Sequence, residues 1–430
     1  MIIIDLNNLD SNLIESVKSN DLHRCFNIGA IMKNRRNEKK LTLQKLCKGI
    51  CCIAYQSRLE RNQYDNLNDE IIPKLCERLD LDYEEVKQSA NTSELELALH
   101  DFMLGDKVEL LKRFEKCKEK GYFSTNNLIS CMIYLIDKKY ALFNEDISRL
   151  DNLKSTMSVL ELSTLLLVMI YYYIDTYQYE KAKNYYMFAH DLQCTNEDIK
   201  IMLKEVKLII DCNLFSKVND NRELINYDFQ EIKKSYVFGY PISKQVSLQL
   251  EYLKTCESDH ALKIFKILEK DPNIVKEEKF YYTKAYVLTK CRKYREVLDY
   301  TNSLNTLTYK YVSLYAYSLK ELAFNYPNQL KEEDMLKYKE VLKKYIHETK
   351  ISNEDTIHIA FIKLMEMEID GGSDLSIFNY IKNEMFALFK TFRENLYFEY
   401  CLEKIYGLIS KLSKYKEAYE ILNYLYFRNS

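Results

Sequence analysis

Apolar residues recur along this chain at three- and four-residue intervals almost from end to end, the spacing that gathers them on one face of an α-helix. Near the start, Ile28, Ile31 and Met32 share the inner face of a first helix. Leu43 and Leu46 point inward from a second that begins at Leu41-Thr42, and a third runs from Ile53 to Glu60. Small Cys47 stands where two helices cross closely, and Gly49-Ile50-Cys51 forms the turn, the glycine supplying a backbone freedom that other residues lack. A fourth helix ends near Leu79, with Pro73 in its first turn, where a missing N–H is tolerated; Tyr83 to Lys87 supplies a fifth.

From residue 91 onward one pattern returns. Its clearest copy spans Ser163 to Asp191, with Tyr179 at an inter-helix turn followed by Ala182, Tyr186 and Ala189. Gly105-Asp106 precedes Leu110, Phe114 and Cys117, and Ser258 precedes Ala261, Phe265 and Leu268, with Pro272 closing that unit. Tyr294 precedes Val297 and Leu304, and Tyr415 precedes Ala418, Leu422 and Leu425. The breakers Gly105, Gly121, Gly239-Tyr240-Pro241, Pro272, Pro327 and Gly371-Gly372 fall where this grid places its junctions. The grid predicts about nine helical hairpins, each burying its apolar face only against its neighbours and together curving around a concave channel.

Composition supports this reading. A chain of 430 residues exceeds one ordinary core, and only 8 Gly and 4 Pro leave too few turn formers for a β-sandwich or a Rossmann-type enzyme. The fold class expected is all-α. The 12 cysteines are scattered and no secretory leader is recognised, which points to a reducing cytoplasm. The apolar run Leu165 to Ile174 is about half the roughly 20 residues of a membrane span, so no membrane partner is expected. No Gly-rich phosphate loop, His-Glu-x-x-His or Gly-x-Ser-x-Gly occurs, and no histidine lies near Cys47, Cys51 and Cys52. Neither an enzyme site, a metal nor a cofactor is expected.

Charge is concentrated in one place. Between Ile31 and Arg61 there are nine basic and two acidic residues, a net +7 in a chain that is −2 overall. Such a patch suits phosphates, and it equally suits a solvated helix face.

The stretch from Leu41 to Glu60, with Gly49-Ile50-Cys51 followed by Tyr55, Ser57, Arg58 and Glu60, resembles the helix-turn-helix of the XRE/Cro family. Leu75-Cys76-Glu77-Arg78-Leu79-Asp80-Leu81 is similar to that family's closing helix. Ala182, Tyr186 and Ala189 resemble the small-large-small positions of a tetratricopeptide repeat. Together they resemble the RRNPP peptide-sensing transcription regulators. Two positions depart from the family: Leu43 replaces a glutamine, with Gln44 the nearest substitute, and Asn62 replaces a glycine.

The resemblance implies a lambda-repressor-like helix-turn-helix domain over 22–90 and a tetratricopeptide-like α-solenoid over 91–430. In the head it implies base reading by Ala54, Tyr55, Gln56 and Arg58, and phosphate contacts from Lys33, Arg36, Lys40, Gln44 and Lys45. Tyr55 is also a candidate for core packing. In the array it implies a short signalling peptide along the inner helices, at Tyr171, Asp175, Asn213, Lys217, Tyr282, Tyr286 and Lys290. Asn213 is equally an ordinary polar residue. The partners implied are an operator in double-stranded DNA, the peptide and a second copy in a homodimer, with peptide binding changing the spacing of two heads. A phage lysis–lysogeny receptor of the same architecture, an adaptor with a head that does not bind DNA, and a phosphatase-like array are the alternatives.

Overall fold

A computed structural model describes residues 6, 9–22, 28–60, 68, 70–83, 93–119, 123–214, 222–235, 241–274, 276–304, 308–346, 355–392, 394–417, 419 and 421. Among these, all regular structure is helical. The expected features at Arg61, Asn62, Glu84 to Lys87, Gly121, Lys217, Gly239-Tyr240, Ala418, Leu422 and Leu425 lie outside the described residues. No helix of the described residues is long and apolar enough to cross a membrane.

The helices, in chain order, are α1 (Ser11–Leu22), α2 (Ile28–Glu38), α3 (Leu43–Cys47), α4 (Ile53–Leu59), α5 (Ile72–Arg78), α6 (Ser93–Leu104), α7 (Lys107–Glu119), α8 (Phe123–Ile136) and α9 (Tyr140–Asp151). Then follow α10 (Val159–Asp175), α11 (Tyr179–Asp191), α12 (Glu197–Leu214), α13 (Arg222–Ser235), α14 (Ile242–Thr255), α15 (Ser258–Lys270), α16 (Glu278–Lys290) and α17 (Tyr294–Asn302). The last are α18 (Tyr309–Asn325), α19 (Glu332–Ile346), α20 (Thr356–Ile369), α21 (Asp374–Tyr380, carried on through a π-helical turn at Ile381–Met385) and α22 (Asn395–Leu412). The chain divides into two compact units, Met1–Tyr172 with Ala182–Val206, and Tyr173–Lys181 with Lys207–Ser430.

In the first unit, α2 to α5 enclose a core of their own. Ile28, Met32, Leu46, Leu59, Ile72, Leu75 and Leu79 are buried together. The sequence assigned no element to α1. Its buried Leu13 and Val17 sit one turn apart, Leu6 N–H donates to the Tyr185 hydroxyl (2.7 Å), and Lys18 donates to the Asp191 carbonyl (2.9 Å). Elsewhere in this unit Tyr172 is fully buried, stacked on Phe143 at 5.0 Å with Tyr140 edge-on. In the second unit Tyr397 lies 3.9 Å from Phe361 in a parallel stack. The tyrosines at these packing positions are core, with the ring supplying apolar area.

One turn device recurs. A helix ends, one residue takes a left-handed backbone, and the next N–H bonds back to a carbonyl five residues earlier. Gly105 (φ 74°) is followed by Asp106 N–H to Asp101 O, and Lys138 (φ 54°) by Lys139 N–H to Tyr134 O. Tyr177, Arg292, Gly371 and Ser413 repeat it with Gln178 to Tyr173, Lys293 to Leu288, Gly372 to Met367 and Lys414 to Ile409. In the head, Lys40 and Asp80 do the same with Leu41 to Arg36 and Leu81 to Cys76. This is the Schellman ending, which satisfies carbonyls that the helix leaves without partners. Two residues after the left-handed one, a new helix starts at Lys107, Tyr140, Tyr179 and Tyr294. The turns read from Gly105-Asp106, Tyr179 and Tyr294 therefore coincide with helix starts, as does Ser258.

After Gly371, a Cβ on Gly372 would stand 2.7 Å from the Met367 carbonyl oxygen, a backbone atom that cannot give way. Gly372→Ala is expected to destabilise the second unit by about 1–3 kcal/mol through overpacking, read as a lower urea midpoint of the full chain.

Candidate functional site

The first candidate is the head. Thr42 caps α3, its hydroxyl accepting from Lys45 N–H at 3.2 Å. At the other end, Ile50 and Cys51 N–H both return to the Cys47 carbonyl (2.9 and 3.1 Å), with Gly49 at φ 77° between them. Arg78 closes the same end by donating to the carbonyls of Leu46 (2.8 Å) and Lys48 (2.6 Å). The result is a short helix, a tight turn and α4 held at a fixed angle over a shared core.

The basic residues separate into two groups. Arg35 donates to the Leu79 carbonyl (3.2 Å), Lys39 pairs with Asp80, and Arg36 is clamped inside the head. Its guanidinium forms two parallel bonds to Glu60 (2.7 and 2.8 Å) and a third to the Leu41 carbonyl (2.9 Å). The Glu60 hydrogen bond raises the Arg36 pKa above its ordinary value against the opposing effect of burial. Gln56 is fully buried and donates to the same Glu60 oxygen at 3.0 Å. Arg36 and Gln56 were expected at the DNA surface. The structure places them inside, tying α2 to the end of α4, because a buried carboxylate at Glu60 demands donors.

The second group faces outward. Lys40, Lys45, Lys48 and Arg58 are exposed and Lys33 is half-buried; uncharged Gln44 and Ala54 are exposed as well. Tyr55 is also half-buried, its hydroxyl accepting from Asn68 N–H (3.4 Å) and its pKa raised chiefly by burial. Sequence reasoning missed Ile53, 47% exposed at the start of α4. Its place directly before Ala54 on the predicted third helix was the available signal.

The second candidate lies in the second unit. Tyr282, Tyr286 and Lys290 follow one another on successive turns of α16, as the grid placed them. Their surroundings are not an open channel. Tyr282 and Tyr286 are buried, and the Tyr282 hydroxyl lies 3.4 Å from Glu394. Asn213 is buried and its amide donates to the Ile209 carbonyl (2.8 Å) and to Glu251 (3.0 Å). Lys290 donates to the carbonyls of Lys254 and Cys256, both at 2.7 Å. Asp175 is half-buried. Tyr171, in the first unit, donates to Glu205 at 3.2 Å.

Much of this burial comes from α22. At the start of α22, Asn395 donates to the Cys212 carbonyl at the end of α12 (3.1 Å). Two residues on, the Tyr397 hydroxyl bonds both Ser313 of α18 and His358 Nδ1 of α20 (2.7 Å to the latter). Tyr400 and Lys404 both reach Glu368. α22 is thus tied to α12, α18 and α20 within the second unit.

Buried charge accompanies it. Burial alone would raise the Glu251 carboxyl, but the ammonium groups of Lys254 (2.9 Å) and Lys279 (2.8 Å) hold it well below the usual carboxylate range. Glu394 has no such ion pair among the described residues, and burial raises it despite Lys254. His358 is driven well below its ordinary value by burial and by the positive charges of Lys310 and Lys254, so it sits neutral. None of these residues stands out in the sequence, since single polar residues in a helix carry no sign of burial.

Beside α22 a cavity of about 410 Å3 opens toward Arg222, the turn from Lys254 to Ser258, the end of α16 and the start of α17. No group of three or more His, Cys, Asp or Glu among the described residues is arranged to hold a metal ion. Comparison with protein-family models, with curated proteins and with solved structures finds no match to this chain.

Two outcomes are expected. Glu60→Ala strands the Arg36 charge and should lower the stability of the head by about 3 kcal/mol, seen as faster amide exchange across α2 to α4 in the full chain. Because the folded pKa of His358 is depressed, the unfolded chain binds a proton that the folded chain does not. Stability from this residue is therefore complete above pH ~6.5 and lost as pH falls, by about 1.4 kcal/mol per unit. His358→Gln should flatten urea midpoints measured between pH 7.5 and 5.

Proposed function

We propose that this chain is a DNA-binding transcription regulator of the helix-turn-helix type, whose tetratricopeptide-like repeat body takes a short signalling peptide. The observation that carries the DNA reading is the outward face of α4 and the start of α3. Ile53, Ala54 and Arg58 are exposed on α4, Lys40, Gln44 and Lys45 are exposed at and before α3, and Arg36, Gln56 and Glu60 lock α4 from its buried side. Exposed Ile53 and Ala54 suit thymine methyl groups, Arg58 suits guanine, and the lysines suit phosphates. The recurring helical hairpins support the repeat reading, and the cavity beside α22 supplies a place for a ligand.

A recognition helix covers a half-site, so the operator is read by two copies of the chain. The regulator acts in the cytoplasm, and the peptide changes the affinity or spacing of its heads. An adaptor would share the body but not the salt-dependent hold on DNA.

The test is retention of a random-sequence duplex pool by the full chain, followed by sequencing. An enriched motif and a steep fall in affinity with salt are expected. Lys45→Ala should reduce the logarithmic salt slope by about one. Arg58→Ala should weaken binding by 1–3 kcal/mol, about tenfold or more, and relax one position of the motif. Retention without salt dependence or enrichment would remove the DNA reading and favour the adaptor.

A further inference from the structure

Three of the 12 cysteines fall close together, at the turn that sets α4 against α3. Cys47 is buried, Cys51 half-buried and Cys52 exposed. The turn brings the first two together. The Cys51 N–H returns to the Cys47 carbonyl at 3.1 Å. A backbone bond of that span holds two Cα atoms roughly 6 Å apart, inside the usual range for a disulfide. The side chains converge as well, since the Cys47 thiol donates a hydrogen bond to the Cys51 sulfur.

A cation completes the group. Arg78 donates to the carbonyls of Leu46 (2.8 Å) and Lys48 (2.6 Å), the residues on either side of Cys47. Burial pushes the Cys47 thiol up to about 12 and keeps it protonated. Burial raises Cys51 too, but the hydrogen bond from Cys47 and the charge of Arg78 oppose it. Of the two, Cys51 is therefore both the more accessible and the one whose thiolate is favoured by its neighbours. An accessible sulfur beside a cation, with a second thiol in contact, is the arrangement of a redox-responsive pair.

We propose that Cys51 and Cys47 form a reversible dithiol–disulfide site that responds to hydroperoxides and, on closing, shifts the start of α4. The Cys51 thiolate attacks a peroxide oxygen, the O–O bond breaks, and the departing hydroxide leaves as water with the proton that Cys51 released. Cys51 is now a sulfenic acid, oxidised by two electrons. The Cys47 sulfur attacks it, the S–S bond forms, and the S–O bond breaks, its oxygen leaving as water with the Cys47 proton. Two thiols and one hydrogen peroxide thus give one disulfide and two waters. The bond draws the sulfurs from hydrogen-bond contact to about 2 Å. Cys47 is poorly placed to move, because it is buried, its carbonyl accepts from both Ile50 and Cys51, and Arg78 holds both its neighbours. The movement passes to Cys51 and to exposed Ile53 and Ala54 just beyond it. Its effect on DNA rests on the DNA reading above; the formation of the bond does not.

The experiment uses the full chain carrying Cys52→Ser. This removes the exposed thiol that would link copies of the chain. Cys52 is the N-cap of α4 and makes no capping bond, and serine is a favoured residue there. The protein is treated with hydrogen peroxide, alkylated in urea and cut with trypsin. Cleavage after Lys45, Lys48 and Arg58 separates the two cysteines, so the bond appears as the peptide Leu46–Lys48 joined to Gly49–Arg58. This species should be the main disulfide, should disappear with dithiothreitol, and should give way to mixed pairings when the chain is oxidised already unfolded in urea. Peroxide-treated protein with Cys47 and Cys51 still open to alkylation, or the same mixture of pairings with and without urea, overturns the site. Retention of the duplex pool should fall about tenfold on oxidation, the effect of one lost base contact, and return on reduction. If the bond forms while retention stays equal, the shift of α4 is overturned. If neither form retains DNA, the DNA reading falls, and the peptide map alone decides the site.

Discussion

The left-handed residue that ends so many of these helices is the constraint on which the rest of the fold depends. A helix leaves its last carbonyls without partners, and a chain that must reverse direction within a few residues has little room to satisfy them. Here one residue with positive φ returns the following N–H to the last turn, and the next helix begins two or three residues later. Only Gly105 and Gly371 take that backbone without steric cost; Lys40, Asp80, Lys138, Tyr177, Arg292 and Ser413 do so against a penalty of roughly 1–2 kcal/mol each. A penalty accepted so often at the same place shows that the short reversal, and the side-by-side packing of helices it enforces, is worth more to this fold than relaxed backbone. The device also closes α2 and α5 in the head, while α4 is set by a different turn, at Gly49, where the N–H groups of Ile50 and Cys51 both return to Cys47.

Buried charge then selects among the packings that such turns allow. The Arg36–Glu60 pair and the cluster of Glu251 with Lys254 and Lys279 are each costly to desolvate and stable only when every donor is in place. Both bridge segments distant in sequence. Arg36 and Glu60 are 24 positions apart, and Asn213 reaches Glu251 across 38. A packing error of one turn would leave a carboxylate stranded, so these groups discriminate against neighbouring registers. Burial raises the Glu394 carboxyl, which forms no ion pair among the described residues, while the two ammonium groups beside Glu251 lower that one.

This distinction between local and distant contacts marks what was legible in the sequence. Helix starts at Tyr179, Ser258 and Tyr294, the turn at Gly49 and the place of Pro73 follow from periodicity and local backbone chemistry, and each could be read in a window of a few residues. In α1 the buried Leu13 and Val17 alone gave too weak a period to find. Arg36 and Gln56 were visible as a charge and an amide, but their direction depended on Glu60 meeting them from another helix. The largest omission was the return of α22 to Cys212, a contact across 183 positions. Nothing periodic announces it, and it turns Asn213, Tyr282 and Tyr286 from candidates for an open channel into a covered interior.

That return also sets what it takes to move α22. The start of the helix is tied by Asn395 to Cys212 and by Tyr397 to Ser313 and His358, while Glu399 and Glu403 on the cavity side lie a turn or more beyond. A molecule that contacts those outer residues equally well in every arrangement of α22 changes nothing, however tightly it binds, because only a difference in affinity moves an equilibrium. Hydrogen bonds of the kind that tie down Asn395 and Tyr397 contribute about 1 kcal/mol apiece. Reversing a hundredfold preference in favour of its opposite takes about 5.5 kcal/mol. Losing one such bond falls well short of that, so no single one of these contacts is a switch by itself: α22 moves only when several of the bonds at its start are exchanged together.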